Sequence, residues 1–222
     1  MPIESAASGA DASLLFQALQ LGELELANRI VMAPMTRNRA DAEGVPGEIM
    51  VEHYAARAEA GLIVAEGAWP CAEGQGYCRQ PGIVTDAQVA GWRKVVEAVH
   101  AKGGRIVLQI MHAGRIGSVH IKPAGVETLA PSAIHAQGQI FTDAAGMQPF
   151  DLPREMSAGD VRAAIDAHRR AALRAREAGF DGVELHCTSG YLPMQFMYTG
   201  TNQRSDEYGG PVENRVDRKS VV

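Results

Sequence analysis

A chain of 222 residues can bury a substantial core, and its 46% hydrophobic and 21% charged residues are ordinary globular composition. The formal net charge of −5, with acidic and basic residues interleaved, leaves no electrostatic footprint for a phosphate backbone, so nucleic acid is not an expected partner. No window approaches the ~18 unbroken apolar residues of a membrane span, and the start, MPIESAASGADAS, lacks a basic region ahead of an apolar core, so the expectation is a soluble cytoplasmic protein with a loose start.

In chain order, Arg29 to Ala33 is the first run that reads as a buried strand, because it is short, aliphatic and free of polar alternation. Glu48 to Ala60 has helical character, and Leu62 to Ala65 is the second buried strand. A helix over Ala87 to Lys102, behind a Thr85 or Asp86 cap, leads to a third strand at Arg105 to Ile110. From Gly114 to Glu155, prolines at 123, 131, 149 and 153 and several glycines mark an insertion of about 114–156. Within it, Gln139 to Thr142 reads as one arm of a hairpin; the whole excursion is either a lid or substrate wall or a plain surface elaboration. Ala158 to Ala178 is the best-marked helix: Ser157 with Asp160 resembles a capping box with Asp in place of Glu, and Gly179 stands where a C′ glycine ends a helix. Gly182 to Leu185 is the fourth strand. Strands alternating with helices predict an α/β fold with a parallel sheet.

Polar or small residues follow each strand: Pro34-Met35-Thr36-Arg37, Glu66-Gly67, Gln109 with His112, and His186 with Ser189. In parallel α/β folds that edge is where ligands bind, although any one such residue is more often a structural hydrogen-bonder. The three cysteines, Cys71, Cys78 and Cys187, are odd in number and lack Cys-x-x-Cys spacing, which fits reduced, buried thiols and gives no metal site.

The segments APMTR, GLIVAEG, RIVLQIMHAGR, GFDGVELH followed by GYL and QF, and RSDEYGG followed by ENR, in that order, resemble the Old Yellow Enzyme family of flavin-dependent ene-reductases over nearly all of residues 14 to 216. The resemblance implies a (β/α)8 TIM barrel of which about the first four βα units are present, so that residues 1–216 form the amino-terminal half of a flavin-binding barrel. It implies non-covalent FMN, lined by Pro34, Met35 and Thr36, with room for the flat ring at Gly67 and the Gln109 amide on its pyrimidine edge. The implied reaction has NADPH or NADH reduce FMN, which then passes hydride to the β-carbon of a small-molecule enone. His186 would polarise the carbonyl, Ser189 would take the second carbonyl-binding position, and Tyr191 would deliver a proton to the α-carbon.

Two positions depart from the family pattern. Ser189 replaces a usual Asn or His, and Met194 replaces an aspartate that commonly precedes the Gln-Phe pair, which removes a local cap or hydrogen bond. The hexapeptide 217–222, DRKSVV, also breaks the pattern and is expected to be an artefactual tail on a truncated sequence. A half barrel is expected to be inactive alone and to self-associate, as a homo-oligomer or less regularly, through its open edges. The alternatives are a related dienoyl-CoA reductase type enzyme, whose iron–sulfur ligands the cysteines here do not supply, and a non-catalytic half-barrel that binds a partner.

Overall fold

The structure, a computed structural model, describes residues 12–216. The opening stretch 1–11 and the hexapeptide 217–222 lie outside the described residues. In chain order the elements are β1 (Leu19–Leu21), β2 (Leu24–Leu26), β3 (Val31–Met32), α1 (Glu48–Ala55), β4 (Leu62–Ala68), α2 (Asp86–His100), β5 (Ile106–Ile110), β6 (Leu129–Ala130), β7 (Gln139–Thr142), β8 (Gly146–Pro149), β9 (Arg154–Glu155), α3 (Ala158–Ala178), β10 (Gly182–Leu185), α4 (Leu192–Met197) and α5 (Val212–Val216).

Four of these strands form one parallel sheet in the order β10-β5-β4-β3, so the strands expected from the aliphatic runs are neighbours in sequence order. The side chains of Ile63, Ala65, Ile106, Leu108 and Ile110 pack with α1, α2 and α3 residues such as Tyr54, Trp92, Val96 and Ala175 into the main core. The opposite face carries Leu62, Val64 and Val107, and here the β1–β2 hairpin supplies Leu26 as a floor, with Leu19 and Leu24 against it. That hairpin was not expected. Its Leu-x-Leu alternation on either side of Gly22, a residue with φ of 59°, is a short period-2 signal.

Helix boundaries follow their local chemistry. The Thr85 hydroxyl accepts from the Gln88 N–H while the Gln88 side chain accepts from the Thr85 N–H, which selects Thr85 as the cap of α2. Ser157 and Asp160 make the same reciprocal pair for α3, and Gly179 ends it at φ 96°. The expected helix from Glu48 to Ala60 stops at Ala55. Beyond it the bonds tighten to i→i−3, Arg57 to Tyr54 and Ala60 to Arg57, and Asn28 then ties the chain at the entry to β4, its amide donating to the Glu59 carbonyl and its oxygen accepting from the Gly61 N–H. A Cβ on Gly61 would lie 1.9 Å from the Asn28 carbonyl oxygen.

The 114–156 excursion is organised by the short parallel pair β6–β9 and by the β7–β8 hairpin. Ile140 on the hairpin packs with Cys78 and Ile121, with Tyr77 and Phe150 against them. Arg204 of the RSDEYGG stretch is buried and clamps this excursion at its base: its guanidinium donates to the carbonyls of Pro131 and Met156 and pairs with Asp206. At the two edges of the main sheet, Val31 is 51% and Val183 40% exposed. Among the described residues, no helix is long and apolar enough to cross a membrane.

Gly179→Ala should cost about 1 kcal/mol in urea unfolding. A Cβ there meets only Val96 Cγ1, at an ordinary 3.4 Å, so the penalty comes from the left-handed backbone and not from a clash.

Candidate functional site

The sheet is regular except at one place. Ala65 pairs with Leu108 and Ala68 with Ile110, so Glu66 and Gly67 together oppose the single residue Gln109. This is a β-bulge, which re-aims the side chains on either side of it. Glu66, 1% exposed, accepts from the Tyr54 hydroxyl at 3.0 Å and from the Arg37 backbone N–H at 3.0 Å, while the Glu66 N–H donates back to the Tyr54 oxygen at 2.9 Å. Burial pushes the Glu66 carboxyl up, and the bonds from Arg37 and Tyr54 oppose that push. The bond to Arg37 draws the preceding loop, Pro34-Met35-Thr36, up to the bulge. Pro34 is half-buried there, Met35 is 54% exposed and Thr36 is exposed.

Gly67 leaves no room for a side chain of its own. A Cβ would sit 2.9 Å from Met111 Cβ and Sδ and 3.2 Å from Gln109 Oε1. Gln109 is buried and its Nε2 donates to Glu184 Oε1 at 2.6 Å, across the β5–β10 ladder where the two residues are register partners. One amide hydrogen is therefore already used, and Gln109 has Oε1 and its second N–H left for a ligand.

The His186 N–H donates to the Ile110 carbonyl at 3.0 Å and carries the ladder one residue past β10. Its ring lies 4.8 Å, centroid to centroid, from that of Tyr191, which stands at the start of α4. Burial lowers the His186 pKa, with the Glu184 charge opposing, so the ring is neutral at pH 7 and one nitrogen carries a proton to donate. Burial first, then the bond to Tyr77, holds the Tyr191 phenol well above its ordinary pKa. The two phenol oxygens are 2.7 Å apart. Sequence reasoning missed Tyr77. It is 114 positions from Tyr191, and the only local signal is an aromatic following glycines in GQGYC.

Ser189 is exposed, in the left-handed region at φ 58°, and its hydroxyl lies 3.4 Å from that of Thr188. Asparagine tolerates that conformation better than serine does. At the other departure from the pattern the local bond is replaced, not lost: the Met194 thioether accepts from the Gly190 N–H at 3.3 Å. His112 is structural. It is buried, its Nδ1 accepts from the Gly114 N–H at 3.1 Å, and its ring stacks on His168. The expectation of buried cysteines holds for Cys78; Cys71 is half-buried with its thiol pushed up to about 12 by burial, and Cys187 is exposed because the turn after β10 leaves it uncovered. Among the described residues no group of three or more His, Cys, Asp or Glu side chains could hold a metal ion. The uncommitted half of the Gln109 amide offers one acceptor and one donor, a pattern that an uncharged heterocycle with both can match.

Residues 14–218 match the family described as NADH:flavin oxidoreductase / NADH oxidase. A probable flavin mononucleotide-dependent alkene reductase of Leishmania infantum is 41% identical over 206 residues, 91% of this chain and 56% of that protein. The 12-oxophytodienoate reductase 7 of Oryza sativa subsp. japonica is 39% identical over 204 residues, 90% of this chain and 52% of that protein. Morphinone reductase, solved in complex with tetrahydroNAD, superposes with a TM-score of 0.87 at 46% identity, covering 91% of this chain and 57% of its own. The old yellow enzyme homologue from Zymomonas mobilis gives 0.87 at 43% identity, with 91% and 56% covered. The chain thus spans about half the length of the relatives it matches, and its fold is an incomplete TIM barrel.

Two expectations follow. An aspartate at position 194 has the same reach as the methionine sulfur and would make a charge-assisted bond to the Gly190 N–H, so Met194→Asp should stabilise by about 0.5–1 kcal/mol in urea unfolding. His112 and His168 have pKa values lowered by burial, so they stay neutral in the fold and take up protons when it opens. Their contribution is complete above the ordinary histidine pKa of about 6.5 and is lost as pH falls below it. The urea midpoint should therefore drop between pH 7.5 and 5.5, and His168→Leu should flatten that dependence.

Proposed function

The chain belongs to the NADH:flavin oxidoreductase / NADH oxidase family, and on that premise we propose that residues 1–216 are the amino-terminal half of a flavin-binding barrel that reduces the C=C bond of α,β-unsaturated carbonyl compounds. The observation that carries this reading is the pairing of the Gln109 amide, whose Oε1 and second N–H are uncommitted beside Gly67, with an N–H donor and a protonated phenol at His186 and Tyr191. When bound, FMN would take hydride from NADPH or NADH and supply it to the β-carbon. Pro34, Met35 and Thr36 would flank its ring, with the Thr36 hydroxyl placed to hydrogen-bond its edge.

The neutral His186 N–H donates to the substrate carbonyl oxygen and stabilises the negative charge that develops there, as an oxyanion hole does. Ser189 takes the second carbonyl position with a shorter side chain than an amide. Tyr191 gives its proton to the α-carbon. Its raised pKa keeps that proton in place at neutral pH and makes it a weak acid toward anything less basic than an enolate. The Tyr77 hydroxyl, in hydrogen-bond contact with it, fixes the direction of the phenol. The substrate is a small-molecule enone.

The exposed edges at β3 and β10 support a second element of the proposal: residues 1–222 alone self-associate and show no enone turnover. The catalytic assignment is tested by joining residues 1–216 to the carboxyl-terminal half of morphinone reductase and following flavin absorbance by stopped flow. Tyr191→Phe should leave reduction by NADPH within about twofold and slow reoxidation by an enone about 10²-fold or more. An unchanged reoxidation rate would remove Tyr191 from the reaction.

A further inference from the structure

Glu184 is a half-buried carboxylate on the same face of the sheet as Gln109 and His186, and nothing proposed above uses it. Parallel register partners share a face. Val107 and Gln109 point away from the helix-facing residues Ile106, Leu108 and Ile110, so Gly182 and Glu184, their partners, do the same. The Gln109 amide spans the space between neighbours on both sides: its Nε2 is 2.6 Å from Glu184 Oε1, and its Oε1 lies toward Gly67, 3.2 Å from where a Cβ there would be.

A glutamine amide is almost symmetric in shape, and nothing in its own chemistry decides which end faces which neighbour. A carboxylate only accepts, so it admits the Nε2 end and rejects the oxygen. From this we infer that Glu184 is a positioning residue: it locks the Gln109 amide with its oxygen and remaining N–H turned toward the Gly67 space, and thereby sets the donor and acceptor pattern that the flavin's pyrimidine edge meets. The inference rests on the FMN reading of the site. A flipped amide would offer two N–H groups toward that space and no acceptor to pair with the ring's own N–H, leaving one buried polar contact mismatched.

Glu184→Gln is the decisive variant. It keeps the volume and the hydrogen bond to Gln109 but can donate or accept, so it removes the directionality alone; Glu184→Ala removes the bond. The fusion of residues 1–216 to the carboxyl-terminal half of morphinone reductase is labelled with 15N-glutamine, and the Gln109 side-chain amide is identified by its loss in Gln109→Ala. One amide proton is expected to be shifted and slow to exchange in the unsubstituted chain, two amide environments are expected in Glu184→Gln, and no protected proton in Glu184→Ala. FMN affinity, read from quenching of flavin fluorescence, should weaken about tenfold in both variants. The flavin absorbance bands should also shift, which lost stability alone would not cause. Amide signals unchanged by Glu184→Ala would overturn the positioning role. Altered amide signals with FMN affinity unchanged would overturn its bearing on the flavin. If the unsubstituted fusion does not quench FMN, the flavin reading fails and takes this inference with it, and the amide signals report separately whether Glu184 orients Gln109.

Discussion

Two residues of β4 stand opposite one of β5, and the placement of the site depends on that mismatch. In a regular ladder each residue of β4 would face a single partner, and Glu66 and Gly67 would fall on opposite faces with the same local twist. The bulge lets Glu66 reach the Tyr54 hydroxyl of α1 and the Arg37 backbone, while Gly67 lies against Gln109. A carboxylate buried to this depth would be very costly without its two donors. The same bonds hold the loop after β3 and the helix after it in place. One irregularity thus joins three consecutive βα units at their carboxyl ends.

The excursion after β5 serves the site from a distance. Its hairpin packs Ile140 over Cys78 with Tyr77 alongside, and Tyr77 in turn touches the Tyr191 hydroxyl. Arg204 fastens the excursion at its base to the chain that follows α4. The RSDEYGG motif, one of the segments that carry the family resemblance, works here as a structural clamp. The buried Arg204 guanidinium spends four of its five N–H groups on two carbonyls and Asp206, so it has little left to offer a ligand.

Much of the framework was legible because it is written in local signals. The aliphatic runs of the four parallel strands, the capping pairs at Thr85 and Ser157 and the glycine at 179 each state their structure within a few residues. The β1–β2 floor was missed because its alternation spans only three residues per arm. The bulge was illegible for another reason: it is a property of register between two strands, and neither carries it alone. Tyr77 and Glu184 matter only through partners 114 and 75 positions away. The residues put forward for chemistry, from Pro34 to Tyr191, came from family resemblance; composition and periodicity could say only that strand ends were polar or small.

The Leu26 floor gives the first four βα units an inner apolar layer of their own, beneath Leu62, Val64 and Val107. A ribosome releases a chain from its amino end, and domains tend to collapse as soon as their contacts exist. Here those contacts exist by the time β10 has emerged, since the hairpin, the sheet and the helices that cover it all precede that point. By that point the sheet already has a floor at Leu26 and a helical cover, and its two outer edges, at β3 and β10, where Val31 is 51% and Val183 40% exposed, are without a strand partner among the described residues.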